Sequence, residues 1–123
     1  MARRVLIVED ESLLVMVLED LLPELGYDVV ATANSVATSL DALDAHAVDL
    51  AILDINLAGE ASFPIADALA ARGTPFLFAT GYGSSVVPAR HDKAPLVQKP
   101  YGRRELEKAL RTLSEREDVP QSD

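Results

Sequence analysis

Five polar residues in this sequence follow aliphatic runs that are typical of buried β-strands. They are Glu9, Asp10, Asp54, Thr80 and Lys99. Three carboxylates brought close together repel one another unless a cation lies between them, and their hard oxygen atoms are ligands that Mg²⁺ prefers. A carboxylate can also attack a phosphoryl group, while an ammonium and a hydroxyl hold the remaining phosphoryl oxygens. The set therefore indicates phosphoryl chemistry at a metal site.

Each of these residues has a simpler explanation when it is taken alone. A single aspartate after a strand is more often a turn residue or a helix cap, and Thr80 before Gly81 commonly marks a turn. Lys99 before Pro100 carries little information by itself. Turn chemistry would rarely place five residues of these kinds at the ends of four strands, so the functional interpretation rests on the combination.

The aliphatic runs predict a parallel sheet covered by helices. Strands are predicted over residues 5–8, 27–31, 50–53, 75–79 and 94–98, and the first, third and fourth of them lack polar alternation. Such strands are buried on both faces. Apolar residues at helical spacing follow the first three strands and the last strand. They predict one helix from Ser12 and three more over 35–45, 63–72 and 103–115. Five rounds of strand and helix predict an α/β sandwich whose site lies beyond the carboxyl ends of the strands.

The first helix and the segment 81–94 carry more specific predictions. Ser12 is the expected N-cap, Pro23 should loosen the last turn, and Gly26 should end the helix. The predicted inward face contains Leu13, Leu14, Val17, Leu18, Leu21, Leu22 and Leu25. Any helix in the glycine-containing segment 81–94 should be short.

Composition narrows the classes of protein. A chain of 123 residues fits one domain, predicted over 1–116 with a disordered tail over 117–123. The net charge of −9 argues against nucleic-acid binding and against docking on anionic lipid. There is no cysteine, and the apolar run near the N-terminus is too short for a signal peptide, so a cytoplasmic location is expected. His46 and His91 are expected to be solvated, and Phe63 and Tyr101 to be part of the core.

Four motifs together resemble the response-regulator receiver family, the phosphoacceptor half of two-component signalling in bacteria. They are Val-Glu-Asp-Glu around Asp10, Leu-Asp-Ile-Asn-Leu-Ala-Gly around Asp54, Ala-Thr-Gly around Thr80, and Lys-Pro-Tyr from Lys99. The resemblance covers residues 4–115. It implies a flavodoxin-like, doubly wound (βα)5 sandwich with a five-stranded parallel sheet in the order 2-1-3-4-5.

The resemblance also implies a role for each acidic residue. Asp54 would accept the phosphoryl group. Asp10 and Asp54 would bind Mg²⁺ together with the backbone carbonyl of Asn56, and Glu9 would act through a metal-bound water.

The remaining implied roles concern the phosphoryl oxygens. Thr80 and Lys99 would contact them, aided by the backbone N–H of Gly81. The Lys99–Pro100 peptide bond would be cis.

The run Phe-Ala-Thr-Gly-Tyr, residues 78–82, resembles a narrower subgroup of short, often stand-alone receivers associated with stress signalling or HWE-type kinases. One position departs from the usual receiver pattern, because Leu96 stands where a switch aromatic is expected. We therefore predict that Tyr82 and the segment after it reorganise on phosphorylation. The alternative is that Tyr82 only packs on a neighbouring helix.

The leading interpretation is a stand-alone receiver that accepts phosphate from a histidine kinase or phosphotransfer protein and signals through protein contacts, without turnover as an enzyme. A monomer or weak dimer is expected. The alternative is a protein-binding module that keeps the fold and does not depend on phosphorylation. A haloacid-dehalogenase-type phosphatase would carry a second acid where Asn56 stands. A flavin or nucleotide site would not place Glu9, Asp10 and Glu11 after the first strand.

Overall fold

A computed structural model describes residues 2–81 and 87–118 of the chain. Strands and helices alternate along these ranges, with one short hairpin after the third strand. In chain order the elements are β1 Arg3–Val8, α1 Ser12–Glu24, β2 Tyr27–Ala33, α2 Val36–Ala45, β3 Leu50–Asp54, β4 Asn56–Leu57, β5 Glu60–Ala61, α3 Phe63–Ala71, β6 Phe76–Thr80, a 3-10 turn Ala89–His91, β7 Leu96–Gln98 and α4 Arg103–Asp118.

The five strands outside the hairpin form one parallel sheet in the order β2-β1-β3-β6-β7. This is the predicted order, because the hairpin strands β4 and β5 pair only with each other. Val8 lies opposite Leu53 and Asp54 lies opposite Ala79. The carboxyl ends of the three central strands therefore lie side by side.

Successive residues of the central strands point to opposite faces of the sheet, and both faces are buried. Val5 and Ile7 join the core beneath α1 and α4. Leu6 and Val8 join the core beneath α2 and α3. Every residue of β3 and β6 is buried. This double burial explains why the strands are unbroken aliphatic runs rather than alternating ones.

The hairpin β4–β5 was not predicted. Its tight turn follows from Asn56, whose Oδ1 accepts a hydrogen bond of 2.7 Å from the Gly59 N–H. Ala58 and Gly59 have φ values of 52° and 93°, so the turn needs left-handed backbone that glycine adopts easily. Glu60 Oε1 accepts a hydrogen bond of 3.0 Å from the Val36 N–H. The loop after Asp54 is thereby tied to the start of α2.

Two predictions for α1 are wrong. Glu11, rather than Ser12, occupies the N-cap, so the helix begins at Ser12, one residue earlier than predicted. Leu13 and Val17 were predicted to point inward but are 74% and 49% exposed, and Met16 beside them is 59% exposed. The apolar residues of α1 extend over more of the helix surface than the sheet can bury. Leu18, Leu22 and their neighbours already occupy the face that packs against the sheet.

The helix ends follow the prediction more closely. Pro23 lies inside α1, and Gly26 follows the helix with a φ of 91°. Helix α4 extends to Asp118, three residues beyond its predicted end. The rest of the predicted tail lies outside the described residues, and within the described ranges no helix combines the length and apolarity needed to cross a membrane.

The prediction that His91 is solvated is wrong. Its side chain is 5% exposed, and its Nε2 lies 2.7 Å from Asp67 Oδ1 of helix α3. Its ring packs edge-on against Phe76 and Phe78. Arg90 binds the same carboxylate, and the hydrogen bonds from Arg90 and then His91 lower the pKa of Asp67 to about 2. These contacts anchor the described part of the segment 81–94, the turn Ala89–His91, to α3.

Candidate functional site

Sheet hydrogen bonds hold the site residues at one edge. The Glu9 N–H donates to the Ala33 carbonyl at 2.9 Å, and the Lys99 N–H donates to the Thr80 carbonyl at 2.7 Å. Each bond continues a strand pairing one residue past a strand end. Asp54 is the last residue of β3. The backbone of Glu9, Asp54, Thr80 and Lys99 is therefore fixed by the sheet rather than by free loops.

Lys99 is the centre of the site. Its Nζ lies 2.9 Å from Glu9 Oε1 and 3.1 Å from Asp54 Oδ2, and all three side chains are largely buried. It also lies 3.5 Å from Oε1 of Glu11, whose side chain is 66% exposed. The sequence predicted that Glu9, Asp54 and Lys99 would meet. It did not predict the contact of Glu11, because a residue in the loop before a helix gives no sign of where its side chain reaches.

Burial and the neighbouring charges shift two pKa values. Burial raises the pKa of Glu9 to about 7, and the nearby Asp54 carboxylate adds to this effect, while the hydrogen bond from Lys99 opposes it. Burial alone would lower the pKa of Lys99, but its bonds to Glu9 and Asp54 outweigh burial and raise that pKa. The ammonium is charged at all physiological pH values, and its two buried partners compete for it.

The carboxylate oxygens form a set that fits a hard divalent cation. One oxygen from each of Glu9, Asp10 and Asp54 lies within 4.8 Å of the others. Carboxylate oxygens at this spacing suit Mg²⁺, which prefers oxygen ligands and usually keeps several waters. Asn56 lines the same cleft as Asp10 and Asp54. The predicted metal residues are thus together, while the division into direct, water-mediated and carbonyl ligands stays a prediction.

The site opens into a cleft of about 570 Å³. Thr80, which is buried, and Gly81 line it beside Lys99. Phe63 lines it as well and packs edge-on against Phe78, with ring centroids 5.9 Å apart. Phe63 was predicted to be only a core residue, and it is both a core contact and part of the wall of the cleft.

The other predictions for this edge have mixed outcomes. The Lys99–Pro100 bond is cis, as predicted. Leu96 lies opposite Phe78 in the sheet and packs against the core of the α2 and α3 face. Tyr101 packs against the opposite core, as expected. Tyr82, the predicted switch residue, lies outside the described residues.

The fold and this edge of acidic residues, lysine and threonine define a class of protein. The chain belongs to the response regulator receiver domain family of two-component systems, whose sequence profile matches residues 5–111. The resemblance predicted from the motifs is therefore confirmed.

Solved receiver structures are similar over nearly the whole chain. SdrG from Sphingomonas melonis Fr1 is 45% identical with a TM-score of 0.82, and the match covers 92% of this chain and 97% of SdrG. The receiver domain of the PhyR response regulator from Erythrobacter litoralis is 27% identical with a TM-score of 0.85, covering 99% and 97% of the two chains.

Curated relatives match over shorter stretches of their length. The chemotaxis protein CheY of Bacillus subtilis is 37% identical over 57 residues, which are 46% of this chain and 48% of CheY. The transcriptional regulatory protein PdtaR of Mycobacterium tuberculosis is 40% identical over 55 residues, 45% of this chain and 27% of PdtaR. The chain thus spans less than half of the curated relatives that it matches.

Proposed function

We propose that this chain is a phosphoacceptor that takes a phosphoryl group on Asp54 from a histidine kinase or a phosphotransfer protein, in a Mg²⁺-dependent reaction, and signals through protein contacts. The observation that carries the proposal is the arrangement around Lys99. Its ammonium bridges Glu9 and Asp54 at the edge where Asp10 completes a set of three close carboxylate oxygens.

The reaction that suits this arrangement is nucleophilic attack. A carboxylate oxygen of Asp54 attacks the phosphorus of a phosphohistidine, forming a P–O bond as the P–N bond to the imidazole breaks. The leaving imidazole keeps or takes up a proton and departs neutral. The Lys99 ammonium already donates a hydrogen bond to Asp54. It can donate to an oxygen of the phosphoryl group once that group is on Asp54. Thr80 and Gly81 line the same cleft. In the proposed reaction the Thr80 hydroxyl and the Gly81 N–H supply further hydrogen-bond donors.

A bound Mg²⁺ would be held by Asp10, Asp54 and the Asn56 carbonyl, with Glu9 acting through a metal-bound water. It would supply positive charge against the oxygens of the transferring group. The proposed role is that of a phosphoacceptor rather than a turnover enzyme, because Asn56 stands where a haloacid-dehalogenase-type phosphatase would carry its second acid.

The relatives support a signalling role, and we propose the cytoplasm as its location. SdrG has also been solved in a BeF3-activated conformation, and that structure is 44% identical to this chain with a TM-score of 0.78. BeF3 takes the place of a phosphoryl group on a carboxylate, so activation of SdrG by it fits an acceptor such as Asp54. The Phe-Ala-Thr-Gly-Tyr run and the match over 97% of SdrG favour a stand-alone receiver. The similarity to the PhyR stress response regulator, which is 28% identical with a TM-score of 0.78, favours a role in stress signalling. We propose an HWE-type kinase as the donor on the basis of the Phe-Ala-Thr-Gly-Tyr run.

The decisive experiment is phosphorylation of the purified chain by acetyl phosphate with Mg²⁺, followed by intact-protein mass spectrometry. Wild type should gain one phosphoryl group, and chelation of Mg²⁺ should abolish the gain. Asp54→Ala should gain none. Asp49→Ala is the matched control, because Asp49 lies just before β3 and its carboxylate binds the Arg4 N–H instead of Lys99. Absence of a gain in wild type would favour the binding module that does not depend on phosphorylation.

A further inference from the structure

A fourth carboxylate lies at the mouth of the site. Glu11 Oε1 is 3.5 Å from Lys99 Nζ, and the Glu11 side chain is 66% exposed. Its backbone N–H donates a hydrogen bond of 3.1 Å to Glu9 Oε2. Glu11 is thus fixed by its backbone to one member of the metal set, while its own carboxylate reaches the lysine from the solvent side.

The side chain of Glu11 does not cap the helix that it precedes. It occupies the N-cap of α1, where a short polar side chain normally accepts a hydrogen bond from the helix backbone. In the described part of the chain the Glu11 side chain makes no such capping bond. Its contact with Lys99 therefore needs an explanation other than helix capping.

The charges at the site give that explanation. Glu9, Asp10, Glu11 and Asp54 place four carboxylates around the single ammonium of Lys99. Three of them supply the oxygens that suit a divalent cation, so the fourth adds negative charge beyond that set. This charge attracts a cation, repels an incoming anion, and competes with a phosphoryl oxygen for Lys99.

We propose that Glu11 is a specificity-determining residue that disfavours small anionic phosphoryl donors and favours Mg²⁺, by holding Lys99 and adding negative charge at the mouth of the cleft. The inference rests on the proposed function of Asp54. It concerns which donors reach Asp54, because a protein donor can cover an exposed carboxylate with its own surface and a small anion cannot.

The test measures two effects of opposite sign in Glu11→Gln. With acetyl phosphate, the Asp54 carboxylate attacks phosphorus, the P–O bond to the acetyl group breaks and acetate leaves. At saturating Mg²⁺ the second-order rate of this reaction should rise roughly three- to tenfold, because an exposed charge acts through a high dielectric. Mg²⁺ affinity, measured by calorimetry without any donor, should fall roughly two- to threefold for the same reason.

Glu24→Gln is the matched control. Glu24 lies on the same helix, is 62% exposed, and also contacts one cation, Arg103 at 3.0 Å. It should leave both the rate and the Mg²⁺ affinity unchanged. Glu11→Asp keeps the charge but shortens the reach to Lys99, so it should change both measurements in the same direction as Glu11→Gln and by less. Added salt should reduce the difference between wild type and Glu11→Gln, since exposed charges are screened.

The outcomes separate this inference from the proposed function. If wild type accepts phosphate from acetyl phosphate but Glu11→Gln is no faster, Glu11 does not select the donor. Asp54 then remains the proposed phosphoacceptor. If rate and Mg²⁺ affinity both fall in Glu11→Gln, the residue is structural and the inference is wrong. If wild type accepts no phosphate at all, the proposed function itself fails.

Discussion

Glu9 is a buried carboxylate that shares one ammonium with Asp54. Burial places its pKa at about 7 in the folded chain, against 4.5 for an ordinary glutamate. Between these values the folded state binds more protons than the unfolded state. A group of this kind contributes its full stability below about pH 4.5 and loses it as the pH rises through about 7.

We therefore expect the free energy of unfolding of the metal-free protein to contain a term that falls between about pH 4.5 and about pH 7. Its slope is at most about 1.4 kcal/mol per pH unit for one titrating group. Glu9→Gln does not titrate and should lack the term. Urea unfolding in the presence of a chelator, repeated across this range, measures it in both proteins. Parallel curves for wild type and Glu9→Gln would contradict the assignment, and the exposed Glu19→Gln should reproduce the wild-type curve.

At the scale of elements, the connection between β6 and β7 is anchored to α3 by a buried histidine. His91 packs edge-on against Phe76 and Phe78 and binds Asp67 at 2.7 Å. Phe78 in turn packs against Phe63 in the wall of the cleft. The anchor and the cleft thus share one aromatic cluster, and its loss should be measurable as lost stability.

His91→Ala removes a buried ring and its hydrogen bond, and should lower the free energy of unfolding by about 2–4 kcal/mol, as other large-to-small core changes do. His91→Phe keeps the ring without the bond to Asp67 and should lose less. The chain supplies its own control, since His46 is exposed and His46→Ala should change stability by less than about 0.5 kcal/mol. Denaturant unfolding of the three variants measures these differences. Equal stabilities for His91→Ala and His46→Ala would show that the anchor contributes nothing.

At the scale of the whole molecule, the sheet and its acidic edge could be predicted because each depends on short stretches of sequence. Unbroken aliphatic runs show that a strand is buried on both faces, and parallel topology then brings the residues that follow the strands to one edge. Asp54, Thr80 and Lys99 were found in this way without any knowledge of contacts.

Contacts between distant residues could not be predicted by the same reasoning. Asp67 and His91 are 24 residues apart, and neither neighbourhood shows that they pair. Exposed Leu13 and Val17 fit the helical spacing of apolar residues as well as buried Leu18 does. The periodicity therefore predicts an apolar helix without showing how much of its surface the sheet covers. Both the pairing of distant residues and the burial of a helix face depend on tertiary packing, which no single segment of sequence determines.

The apolar surface of α1 is where we expect a phosphohistidine-bearing partner to dock. The patch consists of exposed Leu13, Met16 and Val17. Met16 lines a cleft that Glu9 and Asp10 also line, so the patch adjoins the acidic edge. A protein donor must cover that edge to bring its histidine to Asp54, and a helix with an apolar stripe would bury the patch as it does so.

Met16→Asp should therefore lower the rate of phosphotransfer from the cognate kinase by roughly tenfold or more, since an unpaired charge in an apolar contact is costly. Phosphorylation by acetyl phosphate should change by less than about twofold, because a small donor makes no contact with the patch. Ala71→Asp is the control: Ala71 is exposed at the end of α3, on the opposite face of the sheet. Radiolabel transfer measures the rate with the kinase, and mass gain measures the rate with acetyl phosphate. Kinase transfer that Met16→Asp leaves intact would place the donor elsewhere on the molecule, whereas equal loss with both donors would show damage to the site itself.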